Sequence, residues 1–185
     1  MGDHYQVIVD LDATGEEAER LARRAVAWLV AEGIVLPPPG PRVPGGPAEH
    51  PPGPHWHRAV AGEPDRSPTD GLTVHTGRAG FTSGADLPGA ALCPACGAAT
   101  DLDDGFWERF CEALRAWKET GAAAVACPGC AVTVPVQEWT WDEAPLALGT
   151  LALEFRNWPG LGAPFRARTG AVLDGHRTAY VWGKL

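Results

Sequence analysis

Two Cys-Pro-x-Cys turns constrain the fold of this 185-residue chain more than any other feature of its sequence. The two-residue gap in each turn directs both sulfurs to one side, and two such turns brought together enclose a single ion. Zn²⁺ accepts four thiolates tetrahedrally at about 2.3 Å, which leaves no position open for water or substrate. We therefore predict one structural Zn²⁺ per chain, held by Cys93, Cys96, Cys127 and Cys130.

The two turns resemble the paired knuckles of zinc ribbons and, more loosely, those of rubredoxins, over residues 93–131 only. Gly97 follows the first turn, where such knuckles often need a positive φ, whereas Ala131 stands in the corresponding place after the second turn. The resemblance implies an inserted zinc-ribbon-like module over residues 80–145. The rubredoxin likeness also leaves iron open as the metal, which would make the protein an electron carrier.

Two interpretations without a structural metal compete with zinc. The cysteines could form two metal-free thiol pairs, or one pair could be a thioredoxin-like redox motif, which follows a strand and opens a helix. Cys93 and Cys96 instead lead into the acidic turn at 101–104, which disfavours the redox motif. The chain start lacks the basic and apolar runs of a secretory signal, and no stretch reaches the ~18 apolar residues of a membrane span. We therefore expect a cytoplasmic protein with no membrane partner, whose thiols stay reduced.

The order of the predicted elements indicates an α+β fold. A strand, a helix and a strand precede the cysteine-bearing segment, and a strand, a helix and a strand follow it. This order is typical of the ferredoxin-like split βαβ sandwich, in which two helices pack on one face of a four-stranded antiparallel sheet. We predict one domain from residues 1–79 plus 146–185, interrupted by the inserted four-cysteine zinc-binding module at 80–145.

Local signals define several elements. Thr14 and Glu17 have the spacing of a capping box, which predicts that a helix begins there. The strand that starts near residue 146 changes its apolar phase at Gly149, which predicts a bulge. Between the two cysteine turns, residues 105–120 show helical spacing, and Cys111 falls within that pattern. We predict that Cys111 is a small core residue rather than a fifth ligand or a nucleophile.

A proline- and glycine-rich loop covers residues 37–70 and is predicted to hold no regular element. Trp56 within it is typical of a docked anchor, and the loop is expected to contribute to a partner surface. His50, His55 and His57 lie in the same loop, and two imidazoles at i and i+2 could share a metal in a metalloenzyme or redox site. The alternative is a surface loop that carries histidines by chance.

The charge of the chain indicates which classes of partner it can bind. Because the chain carries a net charge of −8, it lacks the general electrostatic attraction that non-specific nucleic-acid binders use. The C-terminal region is locally basic, and Arg166 and Arg168 with nearby aromatic residues offer an alternative nucleic-acid surface. We expect another protein to be the partner, with nucleic acid less favoured. No catalytic triad or phosphate-binding loop is visible, so we favour a non-enzymatic role. The sequence does not determine the oligomeric state.

Overall fold

The computed structural model describes residues 3–40, 50–64, 66–84, 89–142 and 145–184. Within these ranges the chain forms a mixed α/β fold with three α-helices and antiparallel sheets. The helices are α1 (Gly15–Ala31), α2 (Asp104–Thr120) and α3 (Ala163–Val172). The strands are β1 (His4–Asp10), β2 (Leu72–Thr82), β3 (Ala90–Leu92), β4 (Ala99–Asp101), β5 (Ala124–Ala126), β6 (Thr133–Pro135), β7 (Thr140–Trp141), β8 (Leu146–Arg156) and β9 (Thr178–Lys184).

The main sheet has four strands in the order β2-β8-β1-β9, and every neighbouring pair is antiparallel. Helices α1 and α3 pack on one face of it, over an apolar core that contains Ile8, Leu21 and Phe155. In the chain, β3 to β7 and α2 all lie between β2 and β8. None of the described helices is long and apolar enough to cross a membrane.

Helix α1 begins where the sequence predicts. The Thr14 hydroxyl accepts from the backbone N–H of Glu17, and the Glu17 carboxylate accepts in return from the N–H of Thr14. This capping box satisfies two backbone donors that a helix start leaves without partners. Gly33 follows the helix with φ 68°, a left-handed conformation that glycine adopts without strain. The predicted start of this helix is confirmed.

The predicted irregularity at Gly149 is present, but the extra residue lies on the neighbouring strand. Pairing between β2 and β8 shifts between Thr76 and Ala79, opposite Gly149. A Cβ at Gly149 would come within 2.5 Å of Val9, so only glycine permits this close approach to β1. The bulge bends the strand pair sharply at this point.

Beyond the bulge, residues 79–82 and 146–149 form a two-stranded ribbon that folds over the second face of the sheet. Phe81 and Ala147 join a small apolar cluster with Val7 and Val9. The ribbon end is fastened by the Tyr5 hydroxyl, which donates to the backbone carbonyl of Thr82 at 2.6 Å. The second face is therefore covered by part of its own sheet.

Two small sheets and α2 sit on the outer side of this ribbon. Strands β4, β3 and β7 form one sheet, while β5 and β6 form a hairpin. Asp103 caps α2, because its carboxylate accepts from the N–H of Phe106 at 2.8 Å. The guanidinium of Arg78 donates to two carbonyls at the C-terminal end of α2. The apolar core of this unit also includes Leu148 of the ribbon, which joins the unit to the main sheet.

The proline-rich loop is more ordered than its composition predicts, although residues 41–49 lie outside the described ranges. A 3₁₀ turn spans Trp56–Ala59, and isolated bridges join Val60 to Leu161 and His50 to Leu72. Trp56 packs edge-on against Trp158 at 6.5 Å between ring centroids. The prediction that no regular element survives here is wrong, because tertiary contacts fix this part of the loop. Trp56 is half-buried and packs against the core, and its contribution to a partner surface stays a prediction.

Candidate metal centre

The two cysteine turns adopt the same backbone geometry. In the first turn, the N–H of Gly97 donates to the carbonyl of Cys93, and the N–H of Cys93 donates to Ala98. In the second turn, the N–H of Ala131 donates to the carbonyl of Cys127, and the N–H of Cys127 donates to the carbonyl of Val132. Each turn presents both of its sulfurs to the other turn, which is the arrangement the spacing predicts.

The residue after each turn has a left-handed backbone. Gly97 has φ 71° and Ala131 has φ 60°. Glycine adopts this region freely, whereas an alanine there costs about 1–2 kcal/mol. The second turn therefore holds a strained residue in the position where the first turn uses glycine, and its surroundings have to maintain it.

The four sulfurs form a compact cluster. The Sγ atoms of Cys93 and Cys130 lie 4.0 Å apart, and those of Cys96 and Cys127 lie 3.8 Å apart. All four sulfurs lie within 4.8 Å of one another. A tetrahedron with metal–sulfur bonds of about 2.3 Å has edges of about 3.8 Å, so the cluster fits one metal ion. Both distances are too long for a disulfide, whose sulfurs are about 2.05 Å apart.

The backbone around the cluster favours thiolates. The N–H groups of Cys130 and Gly129 point to the Cys127 sulfur and lower the pKa of this thiol to about 7. The N–H of Ala98 acts in the same direction on Cys96, but hydrogen bonds shared with the other three sulfurs outweigh it and raise the pKa of Cys96 to about 12. Four thiolates this close repel one another, so all four ionise together only around a cation.

The cluster is attached to the core of its structural unit. Cys93 and Cys127 are buried and belong to the same apolar cluster as Phe106 and Trp139. Cys96 is exposed and Cys130 is half-buried, so one side of the cluster faces solvent. An ion at this place would therefore join two hairpin turns to α2, which lies between them in the chain.

Cys111 lies outside the sulfur cluster. It is half-buried on α2, and burial raises the pKa of its thiol. Cys111 belongs to none of the apolar clusters of the described residues, so the prediction of a small core residue is not confirmed. Among the described residues, the four-cysteine set is the sole group of three or more histidine, cysteine or carboxylate side chains close enough to share a metal.

The histidines of the proline-rich loop are not brought into one site. The His50 ring lies 3.1 Å from the carbonyl of Leu36, and the His55 ring lies 3.2 Å from the carbonyl of Glu32. The rings of His55 and His57 meet edge to face, with centroids 6.2 Å apart. His50 and His55 fasten the loop to the end of α1, and the structure gives no support for a metal shared by these three side chains.

Two lone histidines contact carboxylates. His176 lies 3.0 Å from both carboxylate oxygens of Asp10, and His75 lies 2.7 Å from Glu154. The Asp10 carboxylate also accepts from two backbone N–H groups just after β1. These contacts join sheet strands and loops, so both histidines are packed groups. Sequence reasoning missed Asp10, whose signal is a polar residue on the same face of β1 as Ile8.

The two C-terminal arginines have different surroundings. Arg168 pairs with Glu32 at 3.1 Å and lies over the ring of Trp28. The guanidinium of Arg166 lies 4.3 Å from the ring centroid of Tyr180. Arg168 therefore shares the Glu32 carboxylate with Arg58, whereas Arg166 has an aromatic partner.

A groove separates the four-cysteine unit from the main sheet. It has a volume of about 540 Å³ and lies between residues 136–141 on one side and residues 145–148, Leu11 and Ala179 on the other. We call it the module groove. Sequence reasoning did not find it, because its two walls are brought together only by the bend of the ribbon.

Comparisons with protein-family models, with curated proteins and with solved structures find no match for this chain. The firmest feature is a set of four cysteine sulfurs that can hold one metal ion.

Proposed function

We propose that this protein is a zinc-stabilised binding protein with a structural Zn²⁺ and a surface for another protein. The sulfur cluster supports the metal assignment, because its 3.8 Å and 4.0 Å edges match a tetrahedral four-thiolate site. An ion with four sulfur ligands has no vacant position, so it contributes folding free energy rather than chemistry. Zinc is preferred to iron because this role requires no redox change.

We propose further that the scaffold is a ferredoxin-like split βαβ sandwich with a zinc-ribbon-like module inserted between β2 and β8. The strand order β2-β8-β1-β9 with two helices on one face supports this assignment. The matching backbone hydrogen bonds of the two cysteine turns support the ribbon likeness. A cytoplasmic location is part of the proposal, since a reducing compartment keeps four close cysteines available for metal.

The module groove is the surface that we assign to the protein partner. Its walls include the aromatic side chains of Trp139 and Trp141 and the aliphatic Leu146 and Leu148. A mostly apolar groove of this volume with a few polar groups is typical of a binding site. The zinc-bound unit forms one wall, so the ion would support the shape of the groove.

The metal assignment is tested by elemental analysis of protein purified without a metal-affinity column, together with a count of reactive thiols. We expect one zinc per chain and four protected cysteines, with Cys111 as the remaining thiol. Iron in the site would contradict the structural role and indicate electron transfer. An absence of metal with four reactive thiols would contradict the proposal as a whole.

The partner surface is tested by selecting peptides from a random display library against the zinc-loaded protein. Thr140 and Thr133 are both exposed and both lie in short strands, but Thr140 alone lines the groove. We expect Thr140→Arg to weaken the selected peptides about tenfold or more, because it places charge and bulk in the groove. Thr133→Arg is the matched control and should bind normally. Equal binding by both variants would exclude the groove as the docking surface.

A further inference from the structure

A second cleft, of about 570 Å³, lies at the other end of the main sheet, where β1 begins and β9 ends. We call it the C-terminal cleft. It is separate from the module groove, because it lies at the start of β1 whereas the groove lies beyond the end of that strand. Its most informative lining residues are His4, Arg66, Trp158, Tyr180, Trp182 and Lys184.

The charge of the C-terminal cleft is opposite to that of the whole chain. The chain has a net charge of −8, yet Arg66 and Lys184 line the cleft and none of its described lining residues is acidic. The neighbouring carboxylate of Asp3 accepts a hydrogen bond from Asn157 at 3.1 Å. Concentrated positive charge on an acidic protein indicates an anionic ligand, since the local field attracts it.

The aromatic side chains of the cleft are available for stacking. Trp182 on β9 is 64% exposed, the highest value among the large apolar side chains of the described residues. Arg166 lies against the ring of Tyr180 and adds a further cation beside the cleft. Aromatic rings with adjacent cations are the combination that binds nucleic-acid bases and their phosphates.

The floor of the cleft is held rigidly. The Gln6 side chain is buried and accepts from the Tyr180 hydroxyl at 2.6 Å, while its amide donates to the carbonyl of Trp158 at 2.8 Å. Burial raises the pKa of Tyr180, so this hydroxyl remains a donor at neutral pH. The indole of Trp158 donates to the carbonyl of Asp70. A floor fixed before binding reduces the entropy that a ligand must overcome.

We propose that the C-terminal cleft binds a nucleotide unit, meaning a planar base joined to a phosphate, with the base on Trp182 and the phosphate near Arg66 and Lys184. The Arg66 guanidinium already contacts the His4 ring at 2.6 Å, which holds it at the cleft. An apolar ring alone would make no use of the two cations, and a bare anion would leave the exposed indole uncovered. A base with its phosphate satisfies both. The source is a free nucleotide or the end of a single strand, which share this chemistry.

The proposal is tested by calorimetric titration of the zinc-loaded full-length protein with AMP, GMP, CMP and UMP. Adenosine and inorganic phosphate serve as the two halves of the ligand. We expect at least one monophosphate to bind more tightly than either half, and to quench tryptophan fluorescence. Binding of neither the monophosphates nor 5′-phosphorylated single strands would overturn the proposal. Equal affinity for the monophosphate, adenosine and inorganic phosphate would also overturn the proposal.

Variants identify the residues. We expect Trp182→Ala to weaken binding about tenfold or more, as one lost stacking contact does, while Trp182→Phe retains most of the affinity. Lys184→Ala should weaken the monophosphate and leave adenosine unchanged. Arg168→Ala removes the same charge outside the cleft and is the control. If Trp182→Ala and Lys184→Ala bind as the unchanged protein does, the cleft is not the site.

A comparison of ligands then separates the two sources. Tighter binding of a short 5′-phosphorylated single strand than of the monophosphate, with a steeper dependence on salt, indicates a strand end. Equal affinity indicates a free nucleotide. Both outcomes support the nucleotide unit. Preference for a duplex over both would overturn it, because paired bases are not available to Trp182.

Discussion

Replacing Cys130 by serine is expected to remove the zinc and unfold the four-cysteine unit, while the main sheet stays folded. Cys130 contributes one edge of the sulfur cluster, 4.0 Å from Cys93. A hydroxyl does not ionise at neutral pH as a thiol can, so the variant offers three ligands rather than four. The two cysteine turns would then lose the ion that joins them.

The magnitude follows from the size of the unit. Structural zinc contributes about 10–16 kcal/mol in small zinc-binding peptides, which is comparable to the whole stability of an ordinary domain. The strands β3 to β7 contain only two or three residues each, and a core this small does not fold alone. The main sheet has its own core against α1 and α3, so we expect it to stay folded without the ion.

Amide hydrogen exchange read by mass spectrometry separates the two units. In Cys130→Ser, and in the unchanged protein with a strong chelator, α2 and the β5–β6 hairpin should lose protection while β1 and α1 keep theirs. Cys111→Ser is the matched control, since Cys111 lies on α2 outside the sulfur cluster. Stoichiometric zinc with unchanged protection in Cys130→Ser would refute the reasoning. So would loss of zinc in Cys111→Ser.

Four further variants test the local geometry. Gly97→Ala should lower the free energy of unfolding of the zinc form in urea by about 1 kcal/mol, because φ at Gly97 is 71°. No neighbouring atom lies within 4 Å of the added Cβ, so the backbone conformation is the only cost. Ala131→Gly should be neutral or stabilising, and equal losses of stability in the two variants would contradict this account. A hydrogen bond from His75 lowers the pKa of Glu154, so the stability that its carboxylate supplies is present above its usual pKa and lost as pH falls through the lowered one. Glu154→Gln should therefore melt at a lower temperature than the unchanged protein at pH 7, and its melting temperature should fall less between about pH 5 and 3. A melting temperature that depends on pH as it does in the unchanged protein would contradict this. The Asp10 side chain is fully buried and accepts from two backbone donors and one imidazole. Asp10→Ala leaves these groups without an acceptor and should lower the free energy of unfolding in urea by about 3 kcal/mol or more. A loss under about 1 kcal/mol would contradict this.

The features that the sequence predicts correctly are those determined by neighbouring residues. The capping box of Thr14 and Glu17 and the periodicity of α2 act within one or two helical turns. The cysteine turns are similar, because two residues of spacing fix the direction of both sulfurs in a pair. That the two pairs meet could also be predicted, since one ion is the simplest partner for four thiolates.

The features that the sequence does not predict depend on contacts between distant segments. The proline-rich loop was expected to be irregular, yet bridges to Leu72 and Leu161 fix its described part. The pattern around Gly149 indicates a bulge, but it cannot show that the extra residue lies on β2 or that the ribbon folds over the sheet. The three loop histidines share a short segment, but their ring contacts with Leu36 and Glu32 hold His50 and His55 apart.

The arrangement of the two clefts makes the two binding proposals independent of each other. One wall of the module groove is residues 136–141, which belong to the unit that the zinc supports. The C-terminal cleft is lined by β1, β9, Arg66 and residues 158–160, which belong to the main sheet and its loops. The seven residues of β1 separate the two sites by about 20 Å at 3.4 Å per residue. Removal of zinc should therefore abolish peptide binding in the groove while nucleotide binding in the cleft persists, and a parallel loss of both would show that the ion supports the whole fold.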